Sequence, residues 1–331
     1  MPTMIRRALW FLAGAIALAV APAARACTTA NSTIALPAVS SYTVATTAQT
    51  GSGSAGLSCD VALAVLTAHY VRLRTETLST VLTGPGGLTV PFVASTTAGG
   101  PSLVANSTLD LSSTAILTLF AGQNSTVPLY IRTTPTANLR AGTYTGTIGL
   151  RWYYSVCSVG IALCLNFSNS PGLVRPALGA PTVWGSGVLV TVTVQLVVEN
   201  DCVINAPSLA FGTAPLVGSF SAATRTIQIR CSAGAAYSVG LNNGANALGT
   251  QRRMRSGTNY LNYEIYKTTS TTERWGSVGT ARRSSATADT NPAIYNSSTN
   301  QGYTYRAIIL PGQTTPPAGS YSDTIQLDVT F

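Results

Sequence analysis

Short runs of alternating apolar and polar residues, punctuated by Gly, Pro, Asn and Ser, dominate this chain. The clearest lie at residues 57–67, 115–120, 126–132, 188–198, 224–231, 260–266 and 303–310. A period of two places one face of a segment on a core and the other in solvent, so each run reads as a β-strand. Residues 188–198 carry the pattern furthest. There Val188, Val190, Val192, Val194, Leu196 and Val198 point one way, and Thr191, Thr193 and Gln195 point the other. No segment sustains the 3.6-residue apolar period of a helix. Short strands at regular spacing predict an all-β fold of sandwiches.

One stretch is repeated. Ala141-Gly-Thr-Tyr-Thr-Gly-Thr-Ile-Gly-Leu150 recurs as Ala318-Gly-Ser-Tyr-Ser-Asp-Thr-Ile-Gln-Leu327, each copy a Gly turn followed by an alternating strand. Cys27 and Cys59 stand about as far apart as Cys202 and Cys231, and each pair opens one copy. The chain therefore reads as two related domains, residues 27–199 and 200–331. Six cysteines leave the connectivity open, but the repeat favours Cys27–Cys59 and Cys202–Cys231, with Cys157–Cys164 as the third bridge. The copies differ in one respect. The first continues into residues 188–198, whereas the second shows no counterpart of that strand. A sandwich without its last strand exposes unpaired N–H and C=O groups and an open apolar cleft. Ile325, Leu327, Val329 and Phe331 alternate along the terminal strand and are expected to flank that cleft.

The N-terminus changes the compartment. Arg6 and Arg7, an apolar run from Ala8 to Val20 and Ala24-Arg25-Ala26 read as a signal peptide, residues 1–26, cut before Cys27. Disulfides then fit an oxidising environment. Cys27 as first mature residue also offers a lipidation site, although Arg25 before it suits one poorly. A mature chain beginning at Cys27 would start inside its first domain, with no extension to donate as a strand. Cleavage removes three arginines from a formal charge of +9. Arg252, Arg253 and Arg255, with Arg282 and Arg283, then form the basic clusters; lacking interleaved aromatics, they read as a solvated face and not as a nucleic-acid site.

Candidate enzyme chemistry is thin. The one histidine, His69, sits in a strand-like context without a second ligand, and the ten acidic residues are scattered. Gly51-Ser-Gly-Ser-Ala-Gly56 matches a dinucleotide fingerprint in letters but lacks the strand–turn–helix setting, and reads as a turn. No cofactor, metal or catalytic residue is expected.

Cys202-Val-Ile, Leu209-Ala-Phe-Gly212, Ile227 to Cys231, Arg253-Met254, Leu261-Asn-Tyr263 and the terminal Ala318-Gly-Ser-Tyr-Ser-Asp-Thr-Ile-Gln-Leu-Asp-Val-Thr-Phe331 together resemble the spore coat protein U domain family. The resemblance covers roughly residues 201–331; the first copy matches only at its cysteines and residues 141–150. Members include subunits of Csu-type, archaic chaperone–usher pili. The resemblance implies two tandem Ig-like, pilin-type sandwiches and a fibre joined by donor-strand complementation. It also implies a periplasmic chaperone, an outer-membrane usher and an adjacent pilin subunit that donates a strand to the C-terminal domain. The expected role is a tip adhesin, secreted through the periplasm to the pilus tip, that mediates surface attachment and biofilm formation. A structural spore-coat or matrix protein without a pilus is the alternative. The long connection at residues 155–187 should project from the pole opposite the domain junction. Its apolar residues Ile161, Leu163, Leu165, Phe167, Val183 and Trp184 are the candidate contact with a hydrophobic surface or other receptor. Leu88, Val90 and Phe92 form a second candidate cluster.

Overall fold

The computed structural model of the chain describes residues 27–60, 63–65, 67–112, 116–161 and 163–331; at residues 63–65, 116, 117, 158–161, 163 and 165 it describes the backbone alone. The segment read as a signal peptide lies outside the described residues.

The alternating pattern becomes sheet. Val188–Glu199 buries Val190, Val192, Val194, Leu196 and Val198. It lies antiparallel to Gly142–Ile161, in register from Gly142 opposite Val198 to Trp152 opposite Val188. On its other edge Gly142–Ile161 pairs with Tyr70–Leu78 and Val81–Thr83. Val81–Thr83 pairs in turn with Thr89–Ser95, which leads through Thr126–Thr133 to Thr50–Cys59. The sheet therefore curls over on itself around a core that includes Leu57, Leu73, Ile131, Tyr144 and Trp152. Trp152 Nε1–H donates to the Ala55 carbonyl at 2.9 Å, so the largest buried ring keeps its polar atom satisfied.

The second sandwich is smaller. One sheet runs Cys202–Asn205, Ala223–Cys231, Gln301–Ile309, Asn259–Tyr266, Arg252–Ser256. The other sets Ser238–Leu241 between Arg283–Ser284 and Leu327–Thr330. Ile227, Ile229, Val239, Tyr263, Trp275 and Tyr303 fill the space between them. A one-and-a-half-turn helix of the first domain, Ser41–Thr46, joins the two sandwiches. Ser41 Oγ lies 2.6 Å from Ser232 Oγ, and the Tyr42 hydroxyl sits 3.1 Å from the carbonyls of both Arg230 and Ser297.

Strand pairing puts Cys27 opposite Cys59 and Cys202 opposite Cys231, and both pairs are bridged. Cys157–Cys164 closes the third bridge. With its sulfur bridged, Cys27 has no thiol to carry a lipid. Sequence separations of 32 and 29 residues correspond to about 3–4 kcal/mol of loop-closure stabilisation each, against ~2 kcal/mol for the separation of 7. Replacing Cys202 and Cys231 by Ser should therefore lower secreted yield more than replacing Cys157 and Cys164. Equal yields by immunoblot of periplasmic fractions would contradict this ordering.

Several local expectations need correction. Residues 115–120 were expected as a strand, but Ile116–Leu119 is a single helical turn; over so few residues the two periods are indistinguishable. The expected strand 57–67 is divided between Thr50–Cys59 and Leu63–Val65. The glycines at 51 and 53 belong to a strand and not to a turn. A Cβ at either would press on Leu36 or Ile34, so glycine lets those side chains pack flat on the backbone. Val90 and Phe92 are core residues of Thr89–Ser95 and Leu88 packs against the same core, so they form no exposed cluster. Arg252 and Arg283 are buried at 0% and 5% exposure, which removes them from any solvated basic face.

Candidate functional sites: an open cleft and an apolar hairpin

The repeat has a common local device. Tyr144 O–H donates to the Arg140 carbonyl at 2.9 Å, and Tyr321 O–H donates to the Pro317 carbonyl at 2.8 Å. Each ring closes the turn that opens its strand, which explains why the Ala-Gly-x-Tyr signature recurs. Beyond that corner the two copies diverge. Ile148, Leu150 and Trp152 are fully buried, because Gly142–Ile161 has partners on both edges. Their counterparts Ile325, Leu327 and Val329 are only partly buried. The terminal segment bonds along one side to residues 238–246, through the Ser238–Leu241 ladder and then Asn242 N–H to Gln326 O and Ala245 N–H to Thr324 O. Among the described residues no strand occupies the place beside it that Val188–Glu199 fills in the first domain.

That place is a cavity of about 420 Å³. One wall carries Tyr321, Asp323, Ile325 and Leu327; the facing wall carries Leu209 and Phe211, with Met254, Tyr263 and Ile265 among the residues that floor it. Val329 and Phe331, expected on the same wall, are not part of the lining; Val329 is partly buried and Phe331 is 52% exposed. The strand ends at Thr330, one residue short of it. Leu209 and Phe211 were visible in sequence only as part of a motif. They lie outside any strand or helix, in a segment without ladder pairing.

At the far pole of the first domain, the connection expected to be a loop begins as a hairpin. Gly142–Ile161 runs on past Trp152 and pairs with Leu163–Asn169, from Ser155 opposite Asn169 to Ile161 opposite Leu163. Cys157–Cys164 staples this hairpin. The side chains of Ile161, Leu163 and Leu165 lie outside the described residues. Phe167 and Trp184 are half-buried, each under a guanidinium: Arg175 at 4.3 Å and Arg72 at 3.9 Å from the ring centroids. The residues left open are on the following excursion. There Val174 bridges to Val183, and the turn between them carries Leu178 at 75% exposure. Val174 and Leu178 carry no periodic signal in the sequence, because Leu173-Val174 and Ala177-Leu178 are short apolar pairs set among Gly, Pro and Arg.

His69 is a structural residue beneath this pole. Its Nδ1 accepts from the Cys157 N–H at 3.2 Å, so its proton sits on Nε2, 3.2 Å from Thr67 Oγ1. Burial, reinforced by the Arg175 charge, lowers its pKa to about 4. The unfolded chain takes up a proton near pH 6.5, and the folded one resists until about pH 4. Stability from neutral His69 is thus fully present above pH 6.5 and drains away as the pH falls to 4, by on the order of 3 kcal/mol. Urea denaturation at pH 7.5 and 4.5 should show that loss in the wild type and a smaller one in His69→Gln; equal losses would remove His69 from the account. Among the described residues no group of three His, Cys, Asp or Glu could hold a metal ion.

Two tandem β-sandwiches, the second open where a last strand belongs, define a pilin-type adhesin fold. The Spore Coat Protein U domain matches residues 188–328. A chain of the CsuC–CsuE chaperone–tip adhesion subunit pre-assembly complex, from the archaic chaperone–usher Csu pili of Acinetobacter baumannii, superposes with a TM-score of 0.71. It is 31% identical, over 92% of this chain and 100% of that one. The CupB6 tip adhesin of Pseudomonas aeruginosa covers 92% of this chain and 94% of its own, at 11% identity and a TM-score of 0.30. CfaE, the adhesive subunit of CFA/I fimbria of enterotoxigenic Escherichia coli, covers 91% and 92%, at 9% identity and 0.30. Both superpositions are too loose to bear on function. No curated protein matches. The chain belongs to the Spore Coat Protein U domain family. Its family and fold are those of pilus adhesins and not of enzymes, and the family implies an extracellular pilus as its setting.

Proposed function

We propose that this chain is the tip adhesin of an archaic chaperone–usher pilus, with residues 27–199 as the binding domain and 200–331 as the domain that joins the fibre. In this reading a periplasmic chaperone and then an adjacent pilin subunit each lend a strand to the cleft, and an outer-membrane usher exports the assembly. The observation that carries it is the unoccupied strand place beside residues 321–330, set against the filled one in the first domain. β-Strand addition supplies main-chain hydrogen bonds for affinity and pockets for alternate side chains for specificity. The chaperone-bound tip subunit of the Acinetobacter pilus supports the same assignment of partners.

Attachment is assigned to the pole carrying Val174, Leu178 and Val183, the end of the first domain opposite the junction at residues 199–202. These side chains are more than half exposed, and burying them against an apolar surface returns about 25 cal/mol per Å². Contact of this kind suits hydrophobic surfaces and the early stage of biofilm formation. A Val174→Ser, Leu178→Ser, Val183→Ser variant should secrete and assemble normally yet lose most adhesion to polystyrene. Full adhesion by fibres that still display the tip, shown by immunogold labelling, would move the contact elsewhere.

A further inference from the structure

The wall of the cleft contains one residue that the first domain lacks. Aligned on the repeat, Tyr321, Ile325 and Leu327 match Tyr144, Ile148 and Leu150, but Asp323 stands where the first domain has Gly146. Gly146 lies opposite Val194, and a Cβ on it would meet the Val81 carbonyl and the side chains of Leu82 and Phe92, so the side chains around it are apolar. In the second domain the same place holds a carboxylate. Its Oδ2 accepts from Tyr263 O–H at 2.6 Å; its Oδ1 accepts from the N–H of Asn246 at 3.1 Å and from Asn246 Nδ2 at 3.0 Å. Gly244, at φ +91°, leaves room for it, since a Cβ there would collide with Oδ2. The charge is built in, yet no described Arg or Lys forms an ion pair with it. The nearby Arg252 is engaged with Glu264.

A carboxylate offers about four acceptor sites, of which three are used here. While the cleft is open, water serves the fourth. A strand that closes the cleft removes that water, and burying a charge with an unmet acceptor is costly. An apolar side chain opposite Asp323 would impose that cost, whereas a hydroxyl or amide N–H would meet the free lone pair. We propose that Asp323 is a specificity-determining residue of the strand-accepting cleft. Its partner is a subunit strand that alternates apolar residues but presents a small hydrogen-bond donor, such as Thr or Ser, opposite Asp323. This rests on the strand-accepting reading above and adds the chemistry and the register of the incoming segment. A slip of two residues would set the donor against Ile325 or Tyr321 and an apolar residue against the carboxylate, so the pair also fixes docking position.

Two peptides that differ by one isosteric exchange test it. Both carry the sequence of residues 188–199; one keeps Val at position 194 and the other carries Val194→Thr. Their affinities for the full secreted chain are measured by fluorescence anisotropy. The wild-type chain should bind the Thr peptide at least tenfold more tightly. Asp323→Asn should shrink that preference, and Asp323→Gly, which restores the residue of the first domain, should reverse it in favour of Val. Equal affinities in the wild type, or a Thr preference that survives Asp323→Gly, would overturn the role of Asp323 while leaving the cleft as an acceptor. Binding of neither peptide, with an unchanged melting curve, would instead remove the acceptor reading and this proposal with it.

Discussion

A copy of residues 188–199 carrying Val194→Thr, joined behind Phe331 through a short Gly/Ser linker, should raise the melting temperature of the purified chain by roughly 10 °C. The first domain supplies the design. There Val188 lies opposite Trp152 and Val198 opposite Gly142, so a graft placed by the repeat begins beside Val329 and runs back along the cleft. It would complete the burial of Ile325, Leu327 and Val329, which are now only partly covered. Burial of these three and of the graft's own inward Val188, Val190, Val192, Leu196 and Val198 is worth about 1.5–3 kcal/mol for each side chain, and ordering the inserted residues costs about 1–2 kcal/mol apiece. With the new ladder of hydrogen bonds the balance is a gain of a few kcal/mol, and each kcal/mol moves a domain of about 130 residues by roughly 3–4 °C. The control is a graft shifted by one residue. It turns Leu189, Thr191, Thr193 and Gln195 inward and should give no gain. If the shifted graft stabilises as much as the in-register one, the cleft is not a strand site.

Much of this architecture is legible in the chain because alternation and burial coincide. Residues 188–198 announce their inward face, and the structure buries five of those side chains against Gly142–Ile161. The strands Thr126–Thr133, Ala223–Cys231, Asn259–Tyr266 and Gln301–Ile309 lie within about two residues of their sequence expectations, the usual uncertainty of a strand end. The repeated Ala-Gly-x-Tyr is legible as a repeat, but its cause, a tyrosine hydroxyl closing its own turn, needs coordinates.

What escapes the sequence is what long-range packing decides. Val90 and Phe92 look exposed among glycines, yet Thr89–Ser95 is an interior strand between Val81–Thr83 and Thr126–Thr133. The apolar pole reads as a loop because nothing local reveals that residues 155–169 continue the pairing. The wall opposite residues 321–327, Leu209 and Phe211, alternates over too few residues, between Pro207 and Gly212, to be read as a strand from sequence. The arginines mislead most. Composition places charge outside, and only the structure shows which guanidinium is enclosed.

Replacement of that enclosed residue, Arg252→Met, should cost about 3–5 kcal/mol in chemical denaturation of the grafted chain, as for other buried ion pairs that lose one partner. Arg252 belongs to one sheet and spends its donors largely on the other. Its Nε and Nη2 reach the Asn242 carbonyl at 3.0 and 2.6 Å, Nη2 also contacts the Leu241 and Trp275 carbonyls at 3.1 and 2.7 Å, and Nη1 meets Glu264 Oε1 at 2.7 Å. Burial pulls its pKa down, and the Glu264 carboxylate pulls it back towards the ordinary range. Leu241 and Tyr263 line the cleft, so this guanidinium is a strut that holds the two layers together beside the open strand place. Methionine matches much of the length but removes the guanidinium from three carbonyls and leaves Glu264 with Arg274, at 2.9 Å, and the Ile265 N–H. Adding Glu264→Gln should recover part of the loss, because a neutral amide is cheaper to enclose than a carboxylate stripped of one of its two cations. The double-mutant cycle therefore separates charge from packing. A loss below about 1 kcal/mol for Arg252→Met, with strict additivity in the double variant, would mean that the layers hold without the strut.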